Sequence, residues 1–114
     1  MQQPTTIDKS AHILKLLGDK TRLTIVKILE HSECCVCEFV EMFQMSQPAI
    51  SQHIRRLKDA GLIKETRKGQ WLFYSLIKES EFYPLVQSVL QHIPNQDNQL
   101  KELEKRGLRI SCCE

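Results

Sequence analysis

Long apolar runs are missing from this 114-residue chain. No stretch approaches the roughly 20 consecutive apolar residues of a membrane-spanning helix, so no membrane partner is expected. Glycine and proline are scarce, at 4 each, and 26% of the residues are charged, which excludes a low-complexity or disordered chain. The opening residues 1–6 are polar and carry neither the basic nor the apolar segment of a secretion signal, so a cytoplasmic protein is expected. No set of nucleophile, base and oxyanion donors is visible, and the chain is not expected to be an enzyme. A second CxxC and any HxxxH are also absent, which argues against a structural zinc site with its two spaced ligand pairs.

Cysteine is the exception to this scarcity. There are five, an odd number, and in a reducing compartment they read as thiols rather than as a disulfide framework. Cys34, Cys35 and Cys37 form one cluster; Cys112 and Cys113 lie at the far end of the chain.

The net charge of +2 hides a local asymmetry. Residues 46–70 hold six bases (Arg55, Arg56, Lys58, Lys64, Arg67, Lys68) against two acids (Asp59, Glu65). A basic window on a near-neutral chain suggests a surface that faces phosphates.

Apolar spacing predicts helices over residues 7–17, 20–31 and 35–43, with Asp19 as a cap for the second. A fourth helix runs from a Ser46 cap, with Pro48 in its first turn, to about residue 60, and Gly61 stops it. The period then changes to two, and residues 62–76 read as a β-hairpin turning at Gly69. Trp71, Phe73 and Tyr74 in its second strand read as core packing rather than as a base-stacking surface. Residues 79–93 return to helix, and Pro94 ends it. The expected fold is mainly α with a β-hairpin wing (α+β), a winged helix-turn-helix. Residues 1–94 form the DNA-binding domain, with dimerisation helices at both ends. Residues 95–114 form a polar linker and a Cys-bearing tail.

Such a fold directs its fourth helix into a major groove of double-stranded operator DNA. Gln47, Ser51 and Gln52 lie toward the start of that helix and can hydrogen-bond base edges, while Ser46 begins it. Arg55 and Lys58 follow a turn later and suit phosphates, as do Arg67 and Lys68 at the hairpin tip. His53 receives no special role.

Thiolate is a soft ligand, and the cluster at Cys34, Cys35 and Cys37 falls at a helix start whose partial positive charge favours it. On a regular helix Cys34 and Cys37 share a face. Cys35 and Cys37 differ by about 200° and point apart, so joint chelation by that pair would require a distorted helix start.

Glu33-Cys34-Cys35-Val36-Cys37-Glu38-Phe39 resembles the ELCVCDL metal-binding box of the ArsR/SmtB family of metal-sensing repressors. Asp19-Lys20-Thr21-Arg22 is similar to the D-x-T-R start of that family's second helix, and residues 45–53 resemble its recognition helix. Gly69 and Tyr74 fit its wing, and the resemblance spans residues 7–93. It implies a homodimeric repressor that leaves its operator when a toxic metal ion binds. Cys35 and Cys37 match the two cysteines of the box. Arsenite-sensing members complete a three-sulfur site for As(III) or Sb(III), some with a cysteine three residues past the box. Val40 stands there in this chain, leaving Cys34, Cys112 and Cys113 as candidates for the third sulfur.

The expected function is therefore repression of an arsenic-resistance operon, relieved by As(III) or Sb(III). No organic cofactor is expected. The alternatives are the same fold sensing Cd(II), Pb(II), Zn(II) or thiol oxidation. Members sensing Cd(II) or Pb(II) add N-terminal cysteines, and zinc sensors use C-terminal carboxylates and histidines. This N-terminus has no cysteine, and the C-terminal stretch offers only His92. A CxxC oxidoreductase using Cys34 and Cys37 is a different class of reading, and it lacks the βαβ setting of that motif.

Overall fold

Side-chain caps set where the helices begin. In the computed structural model, which describes residues 6–109, Thr6 accepts from the Lys9 amide at 3.2 Å and opens α1 (Ile7–Leu17). Asp19 accepts from the Arg22 amide at 3.0 Å and opens α2 (Lys20–Leu29). A two-residue strand β1 (Cys34–Cys35) leads directly into α3 (Val36–Phe43), with Cys35 as its cap residue. Gln44 takes the left-handed conformation, φ 54°, and its amide bonds the Val40 carbonyl at 2.9 Å. This makes the tight turn into α4 (Gln47–Asp59), which Ser46 caps through the Ala49 amide.

At the end of α4, Gly61 at φ +80° closes a Schellman turn, with Leu62 N–H on the Leu57 carbonyl and Gly61 N–H on the Lys58 carbonyl. Strands β2 (Ile63–Lys68) and β3 (Trp71–Leu76) then pair antiparallel with Lys68 opposite Trp71. Gly69, at φ +63°, leads their two-residue turn. Helices α5 (Tyr83–Leu90) and α6 (Asp97–Lys105) follow.

The winged helix-turn-helix is as expected, and several boundaries differ. α2 ends before His31, and α5 occupies only the middle of residues 79–93, with Pro84 in its first turn. The third helix begins one residue late because Cys35 is held extended in β1, whose Cys34 and Cys35 pair with Tyr74 and Phe73 of β3. The wing is thus a three-stranded sheet of order β1-β3-β2. The sparse leucines after Pro94 also form a helix: Leu100 and Leu103 of α6 are buried, and α6 packs against α3. The core gathers Ile25 and Val26 of α2, Phe39 of α3, Ile50, Ile54 and Leu57 of α4, and Leu90 of α5.

Candidate nucleic-acid interface and thiol site

Burying Ile50, Ile54 and Leu57 on one face of α4 turns Gln47, Gln52, Arg55 and Lys58 outward. Ser51 is half-buried beside them, and Ser46 spends its hydroxyl on the cap. The helix is held in place from α2. Arg22 donates from Nε to the Leu16 carbonyl at 2.7 Å and brings Nη1 to 3.2 Å from Nδ1 of His53, on α4. The Thr21 hydroxyl points to the Met45 sulfur at 3.7 Å. Asp19, Thr21 and Arg22 thus brace α4 from the start of α2, and His53 belongs to that brace.

The basic residues separate into two groups. Arg55 and Arg67 are exposed and make no ion pair among the described residues. Lys58 instead pairs with Glu65 of β2 at 2.9 Å, each raising or lowering the other's pKa in the sense that favours both charges. Lys68 pairs with Glu33 at 2.5 Å and lies 5.6 Å from the centre of the Phe73 ring. Glu33 directly precedes β1, so this pair ties the wing to the cysteine segment.

At the start of α3 the sulfurs of Cys35 and Cys37 are 2.7 Å apart. Cys35 has φ −100° and ψ 167°, outside the helix, and a cap residue throws its side chain back over the second and third helical positions. Those positions are Cys37 and Glu38. Ordinary capping, with no distortion of the helix, therefore joins the pair that regular helical spacing sets apart. Glu38 returns the contact by accepting from the Cys35 amide at 2.9 Å.

The helix-end field does not make all three sulfurs thiolates. Cys34 and Cys35 are buried, and loss of solvent pushes each thiol up to about 12; for Cys34 the Glu38 charge adds to this, and for Cys35 the bond with Cys37 does. Cys37 alone of the three is exposed. Cys34 lies in β1 rather than on the helix face of Cys37, and strand alternation sends its side chain away from that of Cys35. Cys112 and Cys113 lie outside the described residues. Among the described residues no three His, Cys, Asp or Glu side chains gather into a metal site.

Two residues with no signal in the spacing arithmetic complete this corner. The Glu38 side chain is fully buried, and one oxygen of its carboxylate accepts from Arg109 Nη1. The same nitrogen donates to the Glu33 carbonyl at 3.2 Å and lies 3.8 Å from the Cys34 sulfur. An acidic residue three positions past a cap was the available sequence sign for Glu38; nothing local pointed to Arg109.

The family model for bacterial regulatory proteins of the arsR family matches residues 19–65. The arsenic resistance transcriptional regulator ArsR2 of Pseudomonas putida is 32% identical over 89% of this chain and 94% of its own. The chain belongs to the ArsR family. An uncharacterized HTH-type transcriptional regulator of Methanocaldococcus jannaschii is 41% identical over 63% of the chain and 82% of its own length. Among solved structures, the homodimeric winged helix-turn-helix DNA-binding domain of Mb0332 from Mycobacterium bovis superposes with a TM-score of 0.60. It is 25% identical, covering 82% of this chain and 94% of that one. As an ArsR-family protein the chain is a DNA-binding transcriptional regulator, with no catalytic role in that assignment.

Proposed function

We propose that this ArsR-family chain is the homodimeric repressor of an arsenic-resistance operon, released from its operator when As(III) or Sb(III) is captured by Cys35 and Cys37 with a third sulfur from Cys34, Cys112 or Cys113. The carrying observation is the Cys35–Cys37 sulfur pair, close enough for both to bond one atom, on a strand laddered to the wing. In this reading residues 1–94 are the DNA-binding unit, with dimerisation helices at both ends. Residues 95–114 are the thiol-bearing appendage, with α6 as its docked part. Gln47, Ser51 and Gln52 read bases; Arg55, Arg67 and, once freed from their pairs, Lys58 and Lys68 contact phosphates.

The protonation chemistry favours the metalloid over divalent cations. Trihydroxyarsenic exchanges each hydroxyl for a thiol sulfur, and the thiol proton leaves with the hydroxyl as water. Exchange at thiols therefore gives a neutral product, and Cys35, held as a thiol by burial, suits it. A divalent cation must expel each proton into solution and, with three sulfurs, leaves a net negative charge beside the buried Glu38 carboxylate. Drawing Cys35 out of its cap would loosen its pairing with Phe73 and the Glu33–Lys68 tie, moving the wing against α4. Couplings of this kind typically amount to about 1–3 kcal/mol.

Fluorescence anisotropy on the chain's own promoter fragment tests the reading. As(III) and Sb(III) should release the reduced protein with a midpoint that hardly changes between pH 6 and 8, whereas any Cd(II) or Zn(II) effect should strengthen as pH rises. Cys35→Ser/Cys37→Ser should bind DNA normally and ignore As(III); retained release in that variant would sink the assignment. Gln47→Ala should cost about 1–3 kcal/mol of specific binding, and Arg67→Ala should weaken all sequences alike and reduce the salt slope by about 1. The same sulfur pair also favours a second reading, oxidation of Cys35 and Cys37 to a disulfide; release by peroxide with no response to As(III) would put it first.

A further inference from the structure

Two acids fall within the basic stretch 46–70, and the fold sends them different ways. Asp59, at the end of α4, lines a cavity of about 330 Å³ together with Asp8, Lys9 and His12 of α1. Glu65, on β2, stays among the bases. The bond from Lys58 holds its carboxyl below the usual range, the Tyr74 hydroxyl and the Arg67 charge add to that, and Glu65 is ionised at neutral pH.

One oxygen of the Glu65 carboxylate accepts twice, from Lys58 Nζ at 2.9 Å and from the Tyr74 hydroxyl at 3.4 Å. Glu65 and Tyr74 stand opposite each other in the β2–β3 register, and cross-strand partners share a face. Tyr74 is buried, so its hydroxyl is a fixed donor that anchors the acid while the long Lys58 side chain can swing. Holding the wing to α4 does not need this pair. The Gly61 turn and the Leu62 amide on the Leu57 carbonyl already join α4 to β2, and solvent screens an exposed ion pair. Its effect is on charge: Lys58 and Glu65 sum to zero, and a Lys58 that turns to a phosphate leaves an anchored carboxylate beside the same polyanion.

We propose that Glu65 limits DNA affinity: anchored by Tyr74, it neutralises Lys58 and faces the phosphate backbone with a like charge, so the chain holds every DNA sequence more weakly than its cations allow. This deepens the interface reading above and rests on it. A regulator that must leave its operator on a signal gains from a limited sequence-independent hold, because the coupling available from one bound ligand is modest.

Fluorescence anisotropy on the chain's own promoter fragment and on a scrambled duplex of equal length, each across a salt series, tests this. Glu65→Gln should tighten both duplexes alike and steepen log K against log[salt] by about 0.9, so that a gain of roughly tenfold at 50 mM salt falls to about threefold at 200 mM. Glu65→Gln/Lys58→Met should return the slope to that of the natural chain. Tyr74→Phe, which keeps the ring and frees the acid, should give part of the gain. The urea midpoint of Glu65→Gln should hardly move, since the pair is exposed. Weaker promoter binding by Glu65→Gln with the scrambled duplex unmoved would mean that Glu65 positions the wing, and would overturn the proposal. So would no change on either duplex while Arg55→Ala weakens both. No effect of Arg55→Ala on either duplex would overturn the α4 interface itself.

Discussion

At the first turn of α3, two thiols two positions apart meet because one of them is outside the helix. Regular helical geometry rotates neighbours at that spacing by about 200°, but Cys35 is extended and its sulfur falls over Cys37. Their surroundings still differ. Burial holds Cys34 and Cys35 as neutral thiols, and Cys37 faces solvent. Alkylation follows the thiolate fraction and access. Brief iodoacetamide treatment of the reduced protein near neutral pH, followed by peptide mass mapping, should label Cys37 well before Cys35 and leave Cys34 for last. Equal labelling of Cys34 and Cys37 would contradict the buried setting of Cys34. The residue types of this cluster were plain in the sequence; which sulfurs meet was not, because that depends on where the helix starts.

The elements owe their limits to a few local bonds. Asp19 opens α2, and its bond from the Arg22 amide is the main reason its carboxyl lies below the usual 3.8. A carboxylate depressed in the folded state adds stability that is present above its unfolded value and lost as pH falls through the folded one. Asp19→Ala should therefore cost about 1 kcal/mol at pH 7, read by urea unfolding, and the difference from the natural chain should shrink below about pH 4. α4 and the β2–β3 hairpin were legible from their cap, spacing and turn glycine. β1 and α6 were not: a two-residue strand has no period, and three scattered leucines carry little helical signal until α3 supplies a surface for them.

On the scale of the whole molecule, the outer side of α1 stands out. Ile7 is 82% exposed and Leu14 46%, while Ile13, Leu16 and Leu17 of the same helix are buried. Large apolar side chains left in solvent suit the proposed subunit contact, to which the half-buried Leu85 and Val89 of α5 are the second proposed contribution. Burying a Leu or Ile side chain is worth about 1.5–3 kcal/mol. Ile7→Asp/Leu14→Glu should shift the chain to monomer by at least roughly tenfold in sedimentation velocity, and operator affinity should fall with it. A variant that stays dimeric would move the contact away from α1.

Much of this protein is determined by local sequence: the caps at Asp19 and Ser46, the inward stripe of α4, the hairpin at Gly69 and the supply of thiols. Each depends on residues within a few positions of one another, which is the range over which backbone bonding and apolar periodicity act. Only the tertiary structure decides that Cys35 pairs with Phe73, that Lys58 and Lys68 are held by Glu65 and Glu33, and that Arg109 returns to Glu38. Several of these contacts join residues tens of positions apart, and their energy comes from burial and charge pairing that exist only once helices and sheet have packed. No periodicity records such a contact, because the two partners share no common element.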